Sequence, residues 1–125
     1  MAIRVFGALA RRLPHRTALC LGAGLGLLAR IISWKRVDAA ERRCVRVLGV
    51  GVTEARRIVR ESYRNHGRCV AEMLRMPVLG DSIDALFSIH GEENLREAFA
   101  RGKGVILLGA HLGNWELAAA RIRRM

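Results

Sequence analysis

Gly102-Lys103-Gly104-Val105-Ile106-Leu107-Leu108-Gly109-Ala110-His111-Leu112-Gly113-Asn114-Trp115-Glu116 is the stretch whose reading decides the fold. Val105 to Leu108 form a short continuous apolar run of branched residues closed by glycines on both sides. That pattern belongs to a strand buried on both faces of a parallel sheet. Gly113 and Asn114 then carry turn and N-cap chemistry, and Trp115 to Ala120 are good helix formers, so a helix is expected to start close to Asn114. Strand, turn and helix in this order imply an α/β arrangement. In open α/β sheets, ligands sit outside the carboxyl ends of strands, which is where His111 falls in this reading.

His111 and Glu116 enclose four residues, and a turn between them folds the two side chains towards each other. An imidazole can take the proton of a hydroxyl, while a carboxylate on its other nitrogen fixes the tautomer and steadies the imidazolium. The plain alternative is that Glu116 only complements the dipole of the helix and His111 is a polar residue at a strand end.

The stretch Gly-Lys-Gly-Val-Ile-Leu-Leu-Gly-Ala-His-Leu-Gly-Asn-Trp-Glu resembles the signature of the bacterial lipid A biosynthesis acyltransferases, the lauroyl and myristoyl transferase family. Leu13-Pro14-His15-Arg16, Glu61-Ser62-Tyr63-Arg64-Asn65-His66-Gly67-Arg68 and Phe87-Ser88-Ile89-His90-Gly91 sit where similar segments sit in that family. The resemblance implies His111 and Glu116 as catalytic base and acidic partner, with Gly113 and Asn114 in the substrate-binding turn. It implies a glycerolipid-acyltransferase-like fold and transfer of a fatty acyl chain to a hydroxyl of a lipid A precursor. Acyl carrier protein is the implied donor and partner, with no metal and no cofactor beyond the acyl co-substrate. An acyl-CoA donor and another glycolipid acceptor stay open, since the asparagine-rich segment expected around Ala39 to Val50 is not evident, and so does an inactive membrane-associated fragment, since the basic and donor-binding residues that the family keeps downstream of the motif are absent. The implied location is the bacterial inner membrane, catalytic part on the cytoplasmic side. Chains of the family run to more than twice 125 residues, so a truncated N-terminal fragment with an incomplete acyltransferase domain over 37–125 is expected, inactive alone.

The net charge is +11, and it is uneven. Met1 to Leu79 hold sixteen basic and five acidic residues, whereas Gly80 to Met125 hold six of each. Basic surface beside an apolar helix points to membrane phospholipid. Nucleic acid is the rival for so basic a chain, but the few aromatic residues and the absence of helix-turn-helix or zinc-finger spacing speak against it. Cys20, Cys44 and Cys69 form no Cys-x-x-Cys pair and imply reduced, buried thiols rather than a disulfide frame or zinc site.

Met1 to Arg16 read as a basic arm interrupted by Pro14, and the segment to 36 as arm plus membrane anchor. Thr17 to Trp34 span roughly 27 Å as a helix against about 30 Å of bilayer core. Arg30 is placed to snorkel, Trp34 to sit at an interface, and Lys35-Arg36 to close the anchor. A helix buried against the domain or lying in the interface is the alternative, because Gly22, Gly24 and Gly26 weaken it. Those glycines do not form a dinucleotide-binding fingerprint.

Helical spacing predicts a helix over Val37 to Leu48, ended at Gly49-Val50-Gly51. A longer one then runs from an N-cap at Thr53 until Pro77. In it His66 lies on the apolar face as a packed core histidine. Arg56, Arg60, Arg64 and Arg68 form a row that is either a solvated face or a surface for phospholipid, lipid A phosphates or an acidic carrier. The helical part is thus 37–79 and the βαβ part 80–125. In the latter, a short helical piece at Asp81 to Ala85 precedes a first strand over Leu86 to Ile89 and a crossover helix over Glu92 to Ala100.

Overall fold

The computed structural model describes residues 2–110 and 112–124, with no side-chain placement before residue 5. Among the described residues there are six α-helices: α1 (Ala2–Arg12), α2 (His15–Ile32), α3 (Trp34–Leu48), α4 (Val52–Leu79), α5 (Glu92–Ala100) and α6 (Trp115–Ile122). A 3-10 turn, Gly80–Leu86, follows α4. The chain divides into two compact units, Met1–Arg75 and Met76–Met125.

The expected α/β class is overturned: among the described residues there is no strand and no βαβ unit. Val105 to Leu108 form irregular backbone without a ladder, and the side chains of Ile106 and Leu108 are 91% and 98% exposed. Phe87 has extended backbone, at φ −125° and ψ 142°, but its ring packs on Leu79, Ile83 and Leu117 instead of entering a sheet. The residue pattern of a buried strand records a local preference only. A strand exists when neighbours supply the other half of each hydrogen bond, and neither segment has such a neighbour among the described residues.

The helices follow their local chemistry more faithfully. Leu13 accepts no continuation into Pro14, which separates α1 from α2, so the expected basic arm is itself helical. Gly49 closes α3 with φ +65°, donating its N–H to the Val45 carbonyl 3.1 Å away, the left-handed end that a residue with a Cβ avoids. Helix α4 begins one residue before Thr53, with the Ala55 N–H bonded to the Gly51 carbonyl. It also passes through Pro77 to Leu79, because a proline in the last turn deletes a single donor and only two residues follow it. In the first turns of α4 the Arg57 guanidinium donates to both Glu54 oxygens at 2.6 and 2.8 Å, holding that carboxyl below its usual 4.5.

Within Met1–Arg75 the buried apolar side chains are small. Ala10, Ala18, Ala23, Ala55 and Ala71 are buried with Val37 and Val59, and so are Gly22, Gly26 and Gly67. Large apolar residues lie outside: Leu21, Leu25, Leu28, Ile31, Ile32 and Trp34 are all exposed. The small residues let α2 and α4 touch backbone to backbone. A Cβ on Gly22 would overlap the Gly67 carbonyl and come within 2.8 Å of the Ala71 methyl, and one on Gly26 would overlap the Tyr63 carbonyl. Rising along α2 is descending along α4, so the pair is antiparallel. Gly22 and Gly26, read above only as weakening α2, are its contact surface.

Two polar arrangements hold this unit as well. Arg30 on α2 is not left to reach for solvent: it donates to Glu41 of α3 at 3.0 Å, and Arg56 of α4 approaches the other Glu41 oxygen at 3.6 Å. Arg75, buried, donates to the carbonyls of Ala10 and Leu13 and thereby caps the C-terminal end of α1 with a positive charge. His66, expected in the core, is exposed, and the buried position beside it is Gly67. The thiols also differ from expectation in burial, Cys20 being exposed and Cys44 and Cys69 half-buried, and no disulfide joins them.

Candidate active site

The Met76–Met125 unit is organised by a small cluster in which Leu79, Ile83 and Leu117 are buried, with Met76, Phe87 and Ala120 against them. Leu117 brings the start of α6 onto this cluster. Asn114 is the N-cap of α6: its Oδ1 accepts the Leu117 N–H at 3.1 Å, satisfying one of the amides that a helix start leaves without an intrahelical acceptor. Gly113, at φ +63°, turns the chain into that cap. The Leu112 N–H is bonded to the Ala110 carbonyl at 2.8 Å, whereas the Gly113 amide has no partner among the described residues.

His111, the expected base, lies outside the described residues. Both of its chain neighbours, Ala110 and Leu112, line a trough of about 720 Å³. The remaining walls come from Leu107, Leu108 and Gly109 and from one face of α6, Trp115, Ala118, Ala119 and Ile122, with Asn114 at one side and Arg123 at the other. The lining is overwhelmingly apolar and of a size that takes a small ligand or part of an acyl chain. Sequence reasoning singled out Gly113 and Asn114 and passed over this wall. Of those two only Asn114 lines the trough, and the missed signal is the spacing of Trp115, Ala118, Ala119 and Ile122, which share a helix face.

Glu116 stands in the first turn of α6, half-buried, with no hydrogen bond or ion pair among the described residues. It borders a second depression, of about 690 Å³, with Met76, Gly80, Ile83 and Ala120. One residue along a helix turns the side chain by about 100°, so Glu116 looks onto the flank of α6 beside the trough rather than into it. Trp115, Ala119 and Arg123 border both depressions.

Several charges elsewhere in the unit are paired with each other. Arg121 lies 3.0 Å from Asp84 and 3.7 Å from Glu92, and Arg124 bonds Asp81, which holds the guanidinium above its usual value. These pairs tie α6 to the 3-10 turn and to α5. Among the described residues no three His, Cys, Asp or Glu side chains come together so as to hold a metal ion.

A family model described as bacterial lipid A biosynthesis acyltransferase matches residues 2–124, nearly the whole chain and both units. Comparison with curated proteins and with solved structures finds no match.

Proposed function

Given that this chain belongs to the bacterial lipid A biosynthesis acyltransferase family, we propose that it transfers a fatty acyl chain from the thioester of acyl carrier protein to a hydroxyl of a lipid A precursor. The family match through the His111-to-Glu116 segment is the observation that carries this reading. His111 accepts the proton of the acceptor hydroxyl as its oxygen attacks the thioester carbonyl. The carbon–sulfur bond then breaks, and the imidazolium returns the proton to the leaving thiolate, so His111 ends the cycle neutral. Glu116 keeps the imidazole in the tautomer that presents a bare nitrogen to the hydroxyl.

The Gly113 N–H, without a partner among the described residues, is the amide assigned to the oxyanion of the tetrahedral intermediate. The trough between Leu107, Leu108 and the Trp115–Ile122 face of α6 is the assigned berth for the carbon chain beside the thioester. Apolar walls there favour an acyl tail and keep water from competing with the acceptor hydroxyl. The reaction takes place at the bacterial inner membrane on its cytoplasmic side, with membrane phospholipid and the glycolipid acceptor as partners. Acyl carrier protein is acidic by the nature of its class of carrier, and the basic Met1–Leu79 portion complements such a partner.

The test is expression in a bacterium lacking its own lipid A acyltransferase, followed by mass spectrometry of the lipid A. A mass increase of one fatty acyl group with the unaltered protein, and none with His111→Ala, is expected. Unchanged lipid A with a stably produced, membrane-recovered protein would overturn the assignment. Acylation of a different glycolipid would retain the chemistry and overturn the acceptor.

A further inference from the structure

The Met1–Arg75 unit is built with its small residues inside and its large apolar residues outside. The α2 stripe Leu21, Leu25, Leu28 and Ile32 repeats at helical spacing and is 41 to 72% exposed. We propose that α2 lies in the plane of an anionic bilayer surface, with this stripe sunk among the acyl chains, and does not cross the membrane. The proposal rests on the reading that the protein works at a membrane and determines how it is held there.

By length and composition α2 is the one helix among the described residues that could span, and it lies near the N-terminus. Its packing argues otherwise. Gly22 and Gly26 hold α2 against α4 at backbone contact, around Tyr63, Gly67 and Ala71. Helix α4 carries nine charged side chains between Glu54 and Arg75, among them Arg60, Arg64 and Arg68 around that contact. Sending α2 through the hydrocarbon would either take these charges with it or break the contact. Arg30 adds a second tie, through Glu41 to Arg56 of α4. Lying flat satisfies both demands, because the stripe and the α4 contact occupy different faces of α2, on average about 100° apart around its axis.

The charges around the stripe select the occupant. Arg11, Arg12 and Arg16 precede it and Lys35 and Arg36 follow it, all exposed and without acidic partners among the described residues. Trp34 is 64% exposed with the Lys35 ammonium 5.4 Å above its ring, an amphipathic pair suited to the headgroup level. An apolar stripe flanked by unpaired cations fits phosphate headgroups over acyl chains. A second copy of the chain would bring the same cations against themselves.

The experiment uses the full chain, with Cys20, Cys44 and Cys69 replaced by serine and single cysteines introduced as Arg12→Cys or Lys35→Cys, one before α2 and one after it. A membrane-impermeant maleimide is applied to right-side-out spheroplasts and to inverted inner-membrane vesicles. Labelling of both positions in inverted vesicles alone is expected. Labelling of the two positions from opposite faces would show a spanning helix and overturn the in-plane arrangement while leaving the membrane reading intact. Recovery in the soluble fraction would overturn both. As a second measurement, the purified protein is added to vesicles of phosphatidylglycerol and phosphatidylethanolamine. The paired change Leu25→Asp and Leu28→Asp, at exposed positions, should weaken binding by about tenfold or more with unchanged helix content. Unchanged vesicle affinity, or loss of a dimer in its place, would also overturn the proposal.

Discussion

At the residue scale, a few side chains carry most of the testable chemistry. Glu116→Gln keeps the shape of the first turn of α6 and removes the charge that the proposed mechanism needs beside the imidazole. Acyl transfer should fall by about 10²- to 10⁴-fold, with folding unchanged. Unchanged thermal unfolding of the variant distinguishes this from a structural effect. Near-normal transfer by Glu116→Gln would assign Glu116 to helix-dipole compensation alone. Arg75 is a different case. It is buried and donates to two carbonyls at the end of α1, so Arg75→Leu fills the space but leaves both acceptors without their donor. A loss of about 2 kcal/mol is expected in denaturant unfolding, centred on α1. The role of Arg75 was not legible beforehand, because only the return of α1 to the far end of α4 gives it a purpose.

At the element scale, the α2–α4 contact and the 105–108 segment make opposite points about local pattern. Gly24 on α2 faces open space, so Gly24→Ala should stabilise the helix by about 0.5–1 kcal/mol. Gly26→Leu places a side chain on the Tyr63 carbonyl, and backbone cannot rotate aside as a side chain can. About 3 kcal/mol or more should be lost, through separation of α2 from α4. Thermal unfolding of the two variants in detergent checks both signs, and equal effects would remove the close contact from the account. Val105 to Leu108 should show no amide-exchange protection, because no backbone partner among the described residues covers those groups. Protection there comparable with that of α4 would reinstate a strand. The helical portions were readable from spacing and stop signals: Glu92 to Ala100 is a helix over the expected bounds, and Asn114 caps α6 as its residue type suggested. The strands were not, because a helix closes its hydrogen bonds within itself while a strand borrows its partner from elsewhere.

At the scale of the whole molecule, the uneven charge of the chain sets its behaviour. All of the net +11 lies before Gly80, and that portion also exposes the apolar stripe of α2. Membrane association should therefore have two components of different salt sensitivity. Raising the salt from low to about 1 M shortens the screening length to about 3 Å and removes the attraction of exposed arginines for headgroups. The protein should nevertheless stay with the membrane pellet, held by buried leucines. Replacing Arg11, Arg12 and Arg16 with glutamine should weaken the initial binding to anionic vesicles but leave the salt-resistant fraction in place. Complete release by salt would assign the association to charge alone.

Several properties follow from the chain without its fold. The resemblance carried by the 102–116 stretch identifies the family, because a motif is a record of residue identities and needs no geometry to be read. Charge asymmetry, the apolar length of α2 and the positions of four helices are likewise written in composition and spacing, since each depends on residues within a few turns of one another. Tertiary structure alone decided three things. It turned Gly22 and Gly26 from helix weakeners into a backbone contact with Gly67, left Val105 to Leu108 without strand partners among the described residues, and put Glu116 on the flank of α6 beside the apolar trough. Each depends on which surface meets which across tens of residues, and a residue's identity does not state what it will face.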